Sequence, residues 1–463
     1  MHLIRLSVAA GMIAAAQAAS AGEAPPEPAG VSFLGDVAPI LRKHCVGCHN
    51  PRRTEGRYDL TTFAGLSEGA RGGESAFAPG DPAGSHLVDL IRPDGQPRMP
   101  FKQPPISEAK RQVLERWIAQ GARYDGEKPS EDWLALLRKR SPAAVPDSYP
   151  APVAIAALAF RPDGRALLAS GYHEVNTWDV ADGRLGPRLR GFGERVHDIA
   201  VSPDGKLVAV ASGDPGQGGS ARILRFVEGT IDEGRSLVET ADGVFAIAFS
   251  PDSRLVAAAG ADRTVRIWEA ETSKLVRTIE DHADWILDLA FSPDGKRIAT
   301  ASRDKTSKVF DVAGGETVAT FPGHAETVSA VAYSPDGKFI ATGGDDNQVR
   351  LWNPDNDAKQ AGSLTGFGGG VFRIAYTADG RDLVATSADG IVRVFRDGAR
   401  RLELKGHTDW VYALAISPDG ARLASGSWDG TVLVWDLAEG KPLLNFQARP
   451  GPKTVSGVTA AQP

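Results

Sequence analysis

The sequence predicts a multidomain chain: a small all-α domain followed by a long all-β repeat region. Three observations lead there. Apolar residues recur at helical spacing between residues 31 and 125. An Asp-centred turn recurs seven times through the second half, at the spacing of a repeat architecture. Between the two lies a stretch punctuated by Pro142, Pro146, Pro150 and Pro152, the composition of an extended linker. The 463 residues leave room for about two to four domains. With 42% hydrophobic and 24% charged residues the composition is that of a soluble globular protein. The net charge of −6 provides no basic footprint for nucleic acid.

Residues 1–21 read as a secretory signal peptide. Arg5 supplies the positive start, Leu6 to Ala19 is an apolar, small-residue run, and Ala19-Ser20-Ala21 is a cleavage pattern, with Ala16-Gln17-Ala18 as a rival. The alternative is a retained N-terminal anchor, but the run is short and alanine-rich for a span, and no later stretch is long and apolar enough. The expectation is an exported, periplasmic-type protein with no transmembrane segment after cleavage. A disordered leader of Glu, Pro and Ala then covers 22–30.

In the small domain, 31–125, Phe33, Val37, Ile40 and Leu41 share one helical face, and Pro39 makes that helix short or kinked. Cys45-Val46-Gly47-Cys48-His49 follows, the C-x-x-C-H pattern of covalent c-type haem attachment. The two thiols add across the haem vinyl groups and the adjacent imidazole ligates iron. These are the only two cysteines in the chain. A zinc site with His44, Cys45, Cys48 and His49 would crowd four ligands into six residues and lacks a second cysteine pair. A thioredoxin-like dithiol expects a βαβ context that is missing, and a plain disulfide is the remaining alternative. Residues 51–80, rich in Gly, Arg and Ala, are expected as loop. Gly84 to Arg92 reads as a short helix. Ser107 to Gln120 is the clearest one, capped by Ser107, ended by Gly121, and carrying Val113, Leu114, Trp117 and Ile118 on one stripe. Met99, in Arg98-Met99-Pro100, is the only methionine left once Met1 and Met12 depart with the signal. It is the candidate for the second axial ligand, with His44 and His86 as competitors and a gap-filling core role as the bland reading.

These stretches resemble the planctomycete-type cytochrome c domain. The resemblance rests on Phe33 to Leu41, Cys45 to His49, Pro79-Gly80-Asp81-Pro82 with Ser85, Arg98-Met99-Pro100, and Trp117-Ile118 with Gly121-Ala122. It implies a helical electron-transfer fold with one covalent haem c and with His49 and Met99 as axial ligands. The domain carries 13 Lys/Arg and 11 Asp/Glu, a balance of +2 that two haem propionates would cancel, so strong steering toward a highly charged partner is not expected.

The linker, 126–150, includes a short helical pattern over Ser130–Arg140 with Trp133, Leu134 and Leu137 on one face, either a dock between domains or a solvated spacer.

In the region 151–449 the turn aspartates fall at 163, 204, 252, 294, 336, 379 and 419, spaced 41, 48, 42, 42, 43 and 40 apart. Each unit has an alternating apolar strand, a Pro-Asp-Gly turn, a second strand, an Asp-Gly turn and a third strand ending in Trp-Asp, as in Val411–Ile416 through Trp435-Asp436. This grammar resembles the WD40 family and implies a seven-bladed β-propeller. Gly323-His324 with Asp346 and Trp352, and Gly406-His407 with Asp429 and Trp435, are intact sets, which the family makes into structural hydrogen-bond groups. Ring closure is expected either from consecutive residues ending in Lys441–Gln447 or with help from Ser148–Pro152; 450–463 reads as a disordered tail.

Trp285, Trp410, Trp428 and Arg303 fall at positions that the WD40 resemblance places on one rim, and Trp and Arg are frequent hot-spot residues. Partner binding there competes with simple packing over the channel mouth. The preferred function is an exported c-type cytochrome for electron transfer. Its propeller docks a redox partner protein or a multiprotein complex, and no catalytic residues are assigned. The alternatives are a periplasmic oxidoreductase with a substrate or second-cofactor site in the propeller, where His173 and His197 are the unabsorbed histidines, and a non-redox interaction protein with structural haem.

Overall fold

The computed structural model describes residues 30–46, 48–50, 53–54, 58–68, 75–101, 104–140, 145–214, 218–227, 230–232 and 234–450. The expected signal peptide, most of the leader and the tail beyond residue 450 lie outside the described residues.

The small domain begins with a wide helical turn, Phe33–Val37, that runs directly into α1, Ala38–His44. Pro39 stands at the start of α1, where its missing N–H costs nothing. Ser32 caps the preceding turn through Gly35 N, 2.7 Å. Three further helices follow: α2, Phe63–Glu68; α3, His86–Ile91; and α4, Glu108–Ala119. α2 falls inside the stretch expected as loop; its apolar face supplies only Leu66 as a fully buried residue, too weak a pattern to read from sequence. Ser107 does precede α4 with extended backbone, yet its side chain makes no capping hydrogen bond. The domain is also not wholly helical, because His49–Asn50 pairs antiparallel with Arg53–Thr54.

One aromatic cluster organises this core. Phe33 lies 5.5 Å from Trp117, 5.1 Å from Phe63 and 5.8 Å from Trp133, and Phe77 lies 5.0 Å from Trp117. Trp133, Leu134 and Leu137 of α5, Trp133–Arg140, are buried in the same core. The helix that sequence reading left between dock and spacer is therefore an integral wall of the small domain. Asp125 ties the domain's ends together, accepting from Leu34 N at 2.9 Å and from the Ser32 hydroxyl.

The second half is a series of consecutive antiparallel sheets. Five have four strands each, starting at Val244, Ile286, Val328, Val371 and Val411. The first sheet has eight strands, because Leu185–Val201 runs unbroken from the outer edge of one unit to the inner position of the next. The Asp-centred turns explain their own sequence. In Ser292-Pro-Asp-Gly295 the Ser292 hydroxyl donates to Asp294 at 2.6 Å, Asp294 accepts from Lys296 N at 3.0 Å, and Ser292 Oγ accepts from Arg297 N at 2.9 Å. Gly295 sits at φ 71°, a left-handed conformation that glycine adopts without strain.

The ring closes between its first and last units by two routes at once. Of the expected Lys441–Gln447, residues Pro442–Gln447 form the last sheet's outer strand, and the sheets are built from consecutive residues. In addition Tyr149 N donates to Pro450 O at 2.9 Å, Ile155 N to Ser427 O at 3.0 Å, and Arg422 to Gly164 O at 2.8 Å.

Candidate functional sites

Cys45 and Val46 leave the end of α1 as a turn, and His49 opens the two-residue strand His49–Asn50. Cys48 N and His49 N both donate to Cys45 O, at 3.1 and 3.2 Å, and Cys45 N donates to Leu41 O at 2.9 Å. Three potential donor groups, two thiols and an imidazole, thus leave one turn on a rigid element. Cys45 and Cys48 both stand as free thiols. Burial, reinforced by the neighbouring Cys48, pushes the Cys45 thiol up to about 12. A thiol held neutral is the opposite of the acidic thiolate that a redox dithiol requires. Among the described residues no three His, Cys, Asp or Glu side chains gather as a metal cluster.

His49 is half-buried, and its ring stands edge-on to Tyr58 at 6.4 Å. His49 O accepts from Leu60 N at 3.0 Å, which pins the segment after the motif to the core. Met99 is half-buried on the loop after α3, and its N–H donates to Leu90 O at 2.7 Å, which folds the loop back onto α3. The competing ligands are less available. His44 Nε2 receives a hydrogen bond from Lys110 at 3.1 Å, and burial together with Lys110 and Lys43 lowers its pKa, so the ring is neutral and engaged. His86 is exposed at the start of α3. The donor set fits a haem: two free thiols, one imidazole and one thioether.

The second site is the mouth of the ring, a cavity of about 690 Å³. Trp285, Trp428 and Arg303 line it as expected from sequence, and Trp410 stands beside it, 48% exposed and 5.9 Å from Phe372. Arg303 is not a free cation: it stacks 4.2 Å over Trp285 and pairs with Asp284 at 3.0 Å. Sequence reading missed Phe245, Phe372, Tyr412, Arg195 and Arg373, which complete the lining.

Below the mouth, Arg373 stands 3.7 Å from Asp198 and 3.3 Å from Asp288, carboxylates on two other inner strands. Each aspartate also latches the adjoining inner strand: Asp198 accepts from Ile247 N and Asp288 from Val331 N, both at 3.0 Å. Burial, partly offset by Arg373, raises Asp288 to about 6. A signal for this trio existed. Inner strands read Val328-Ser-Ala-Val-Ala332, Val411-Tyr-Ala-Leu-Ala415 and Val244-Phe-Ala-Ile-Ala248, and three units replace the central alanine by Asp198, Asp288 or Arg373.

The histidines left open by sequence each bond a backbone carbonyl, and His197 also lines the cavity. His197 donates to Gly213 O at 2.7 Å and packs edge-on to Phe245, and burial lowers it to about 4. His173 bonds to Phe192 O at 3.2 Å. In the repeat sets, His324 bridges Asp346, 3.1 Å, and Thr342, 2.8 Å, and His282 bridges Asp304 and Thr300, both 2.7 Å. His407 keeps the hydroxyl partner, Ser425 at 2.7 Å, but bonds Thr431 at 2.8 Å in place of the aspartate. The turn aspartate also pairs with the arginine four residues on, both where the histidine is present, Arg350 with Asp346 at 3.1 Å, and where it is missing, Arg266 with Asp262 at 2.7 Å and Arg393 with Asp389 at 2.8 Å.

With this geometry in hand, two family models match the chain. The planctomycete cytochrome C model covers residues 45–102. The WD domain, G-beta repeat model matches five times, at 234–269, 273–311, 315–353, 358–396 and 398–436. The chain is a planctomycete cytochrome C domain fused to WD40 repeats. The consecutive antiparallel sheets are accordingly those of a β-propeller. Among curated proteins, the small ribosomal subunit protein RACK1z of Arabidopsis thaliana is 56% identical over 48 residues, 10% of this chain and 15% of its own length. RACK1 of Caenorhabditis elegans is 40% identical over 80 residues, 16% of this chain and 25% of its own. The chain thus spans a quarter or less of the length of these relatives. Among the described residues no helix is long and apolar enough to cross a membrane.

Proposed function

We propose that this WD40-fused cytochrome is an exported electron-transfer protein carrying one covalent haem c, with a seven-bladed propeller as its docking scaffold. The observation that carries the reading is the single turn Cys45–His49, with free thiols and a half-buried imidazole, inside the family-matched segment. Cys45 and Cys48 would hold the haem through thioether bonds, and His49 and Met99 would supply its iron ligands. When bound, the haem supplies reversible one-electron chemistry. An imidazole and a thioether as the chain's iron donors would favour electron transfer over turnover. The chain's own part is to hold the ligands rigid: α1 fixes the cysteines, Leu60 pins the strand after His49, and Leu90 pins Met99.

Counting the eight-stranded sheet as two blades gives seven, in step with the seven turn aspartates. Trp285, Trp410, Trp428 and Arg303 form the surface we assign to a redox partner protein; exposed aromatic faces beside stacked arginines are the usual anchors of such contacts. The signal-like residues 1–21 support export to the periplasm or an equivalent compartment.

A redox-monitored absorption spectrum of the purified protein tests the core of this reading. Reduced c-type haem bands are expected, vanishing in Cys45→Ser with Cys48→Ser. Met99→Ala is expected to convert a low-spin, six-coordinate iron to a high-spin one. A wild-type protein already high-spin would overturn the ligand assignment, and one without haem would overturn the function.

A further inference from the structure

We propose that α3 is the mount on which the Met99 loop is held, with Gly95 and Ser85 as the positioning residues that fix the mount at its two ends. The inference rests on the reading of Met99 as an iron ligand and assigns roles to two residues that the reading leaves without one.

The far end of α3 receives the loop. The last carbonyls of a helix have no partner inside it. Here Leu90 O accepts from Met99 N at 2.7 Å, so the loop that leaves α3 turns back and bonds to it. The turn is made at Gly95, whose N–H donates to Arg92 O at 3.1 Å. A Cβ at position 95 would stand 2.4 Å from Asp89 O and 2.9 Å from Leu90 O. Both are backbone atoms of α3, so neither can rotate out of the way. Glycine alone lets the loop approach this closely. Leu90 O is also the acceptor that holds Met99, so a side chain at 95 would push on the same peptide that carries the ligand.

The near end is fastened by Ser85. This serine is fully buried and precedes α3, where a hydroxyl usually caps the helix, but it makes no cap bond. Its hydroxyl serves the preceding loop instead, accepting from Ala78 N at 2.9 Å and donating to Asp81 O at 2.7 Å. That loop is tied to α4 through Gly80 N to Ile118 O, 2.8 Å, and through Phe77, 5.0 Å from Trp117. Leu87 N adds a bond to Ala76 O at 2.7 Å. Six residues make α3 only about 9 Å long, so a displacement at its start is passed to its end. Groups behind a metal ligand set its orientation and keep it from exchanging. Gly95 and Ser85 do this for a thioether, which forms no hydrogen-bonded link of its own to the fold.

An imidazole titration of the full-length protein, followed by its absorption spectrum, tests the mount. Imidazole competes with methionine for iron. In Gly95→Ala and in Ser85→Ala it is expected to displace Met99 at about tenfold lower concentration than in the wild type, since apparent affinity follows the fraction of molecules with the loop open. Tryptic cleavage after Arg98 needs the same opening and is expected to speed up by about the same factor. Ser85→Ala removes a hydroxyl and adds no volume, so it carries the test should Gly95→Ala not fold. Leu66→Ala removes a fully buried side chain on α2 and touches none of these bonds. It is expected to lower the denaturation midpoint while leaving displacement and cleavage near wild type. Variants that hold methionine as firmly as wild type, or that Leu66→Ala matches, would overturn the proposal. A wild-type iron without methionine ligation would overturn the ligand reading instead, and the cleavage rates alone would then decide whether Gly95 and Ser85 hold the loop.

Discussion

The cytochrome domain and the propeller solve the same packing problem in opposite ways. The small domain relies on one non-repeated cluster in which Phe33, Phe63, Phe77, Trp117 and Trp133 meet from five separate segments. Each member is unique, so each is critical. The propeller distributes its core over several clusters of small and branched residues, each shared between adjoining sheets. There a local set such as His282–Asp304–Thr300 is repeated at His324, while other units lack the histidine and keep only an Asp–Arg pair, Arg266 with Asp262 or Arg393 with Asp389, without loss of the sheet. Redundancy tolerates variation, and a single shared core does not.

Trp117→Ala probes that difference most strongly. Removing a fully buried indole that touches Phe33, Phe63 and Phe77 should cost about 3–5 kcal/mol and unfold the small domain while the propeller's β signal persists. Urea denaturation followed by circular dichroism would show the two transitions separating; a single unshifted transition would refute the one-cluster account.

Arg373→Ala sharpens the comparison from the propeller side, because Arg373 is the exception to its redundancy. Its loss leaves Asp198 and Asp288 facing one another below the mouth, at a cost of about 3–5 kcal/mol. Arg373→Ala combined with Asp198→Ala and Asp288→Ala restores the alanine found in sister strands and is expected to recover most of the stability. A triple variant no better than the single one would show that the trio does more than balance charge.

A smaller effect is expected with pH. His197 and His407 are lowered by burial to about 4, so each remains neutral when folded and protonates first when unfolded. Their contribution is intact above about pH 6.5 and is lost as pH falls toward 4, on the order of 1–3 kcal/mol each. Asp288, raised to about 6, works the other way, since acidification relieves its buried charge over the same range. Asp198 is raised by burial as well, so the histidine step is read by comparing denaturation midpoints between pH 7 and 5 in the native protein and in a variant that lacks one histidine. A His407→Gln variant should show a flatter profile; an identical slope would remove His407 from the explanation.

The smallest change in stability, within about 0.5 kcal/mol, is expected for Trp410→Ala, because the side chain is half exposed. Binding should respond instead: weaker capture of a redox partner without a shift in denaturation midpoint would mark the rim as an interaction surface, and unchanged capture by Trp285→Ala and Trp410→Ala would remove it.

Much of this molecule was legible because its information is local. The turn Ser292–Gly295 is specified by residues within six positions of each other, so its period could be counted from the sequence. Cys45–His49 was legible for the same reason, since thiol and imidazole spacing on one turn is a short-range property. Trp117 was readable as core from its stripe on α4. Three things were not local. α5 joined the small core because Trp133 meets Phe33, a hundred residues away. Arg373 met Asp198 and Asp288 only when the ring brought distant inner strands together. Glu174, an ordinary strand residue in sequence, became the buried anchor of the linker through Arg188 and Tyr149. Helical and strand periodicity and turn chemistry are encoded within a few residues, so the sequence by itself determined the two architectures and the thiol–imidazole turn. Charge pairs across a closed ring, and the path of a linker over its edge, depend on where distant segments come to rest, and the tertiary structure alone decided them.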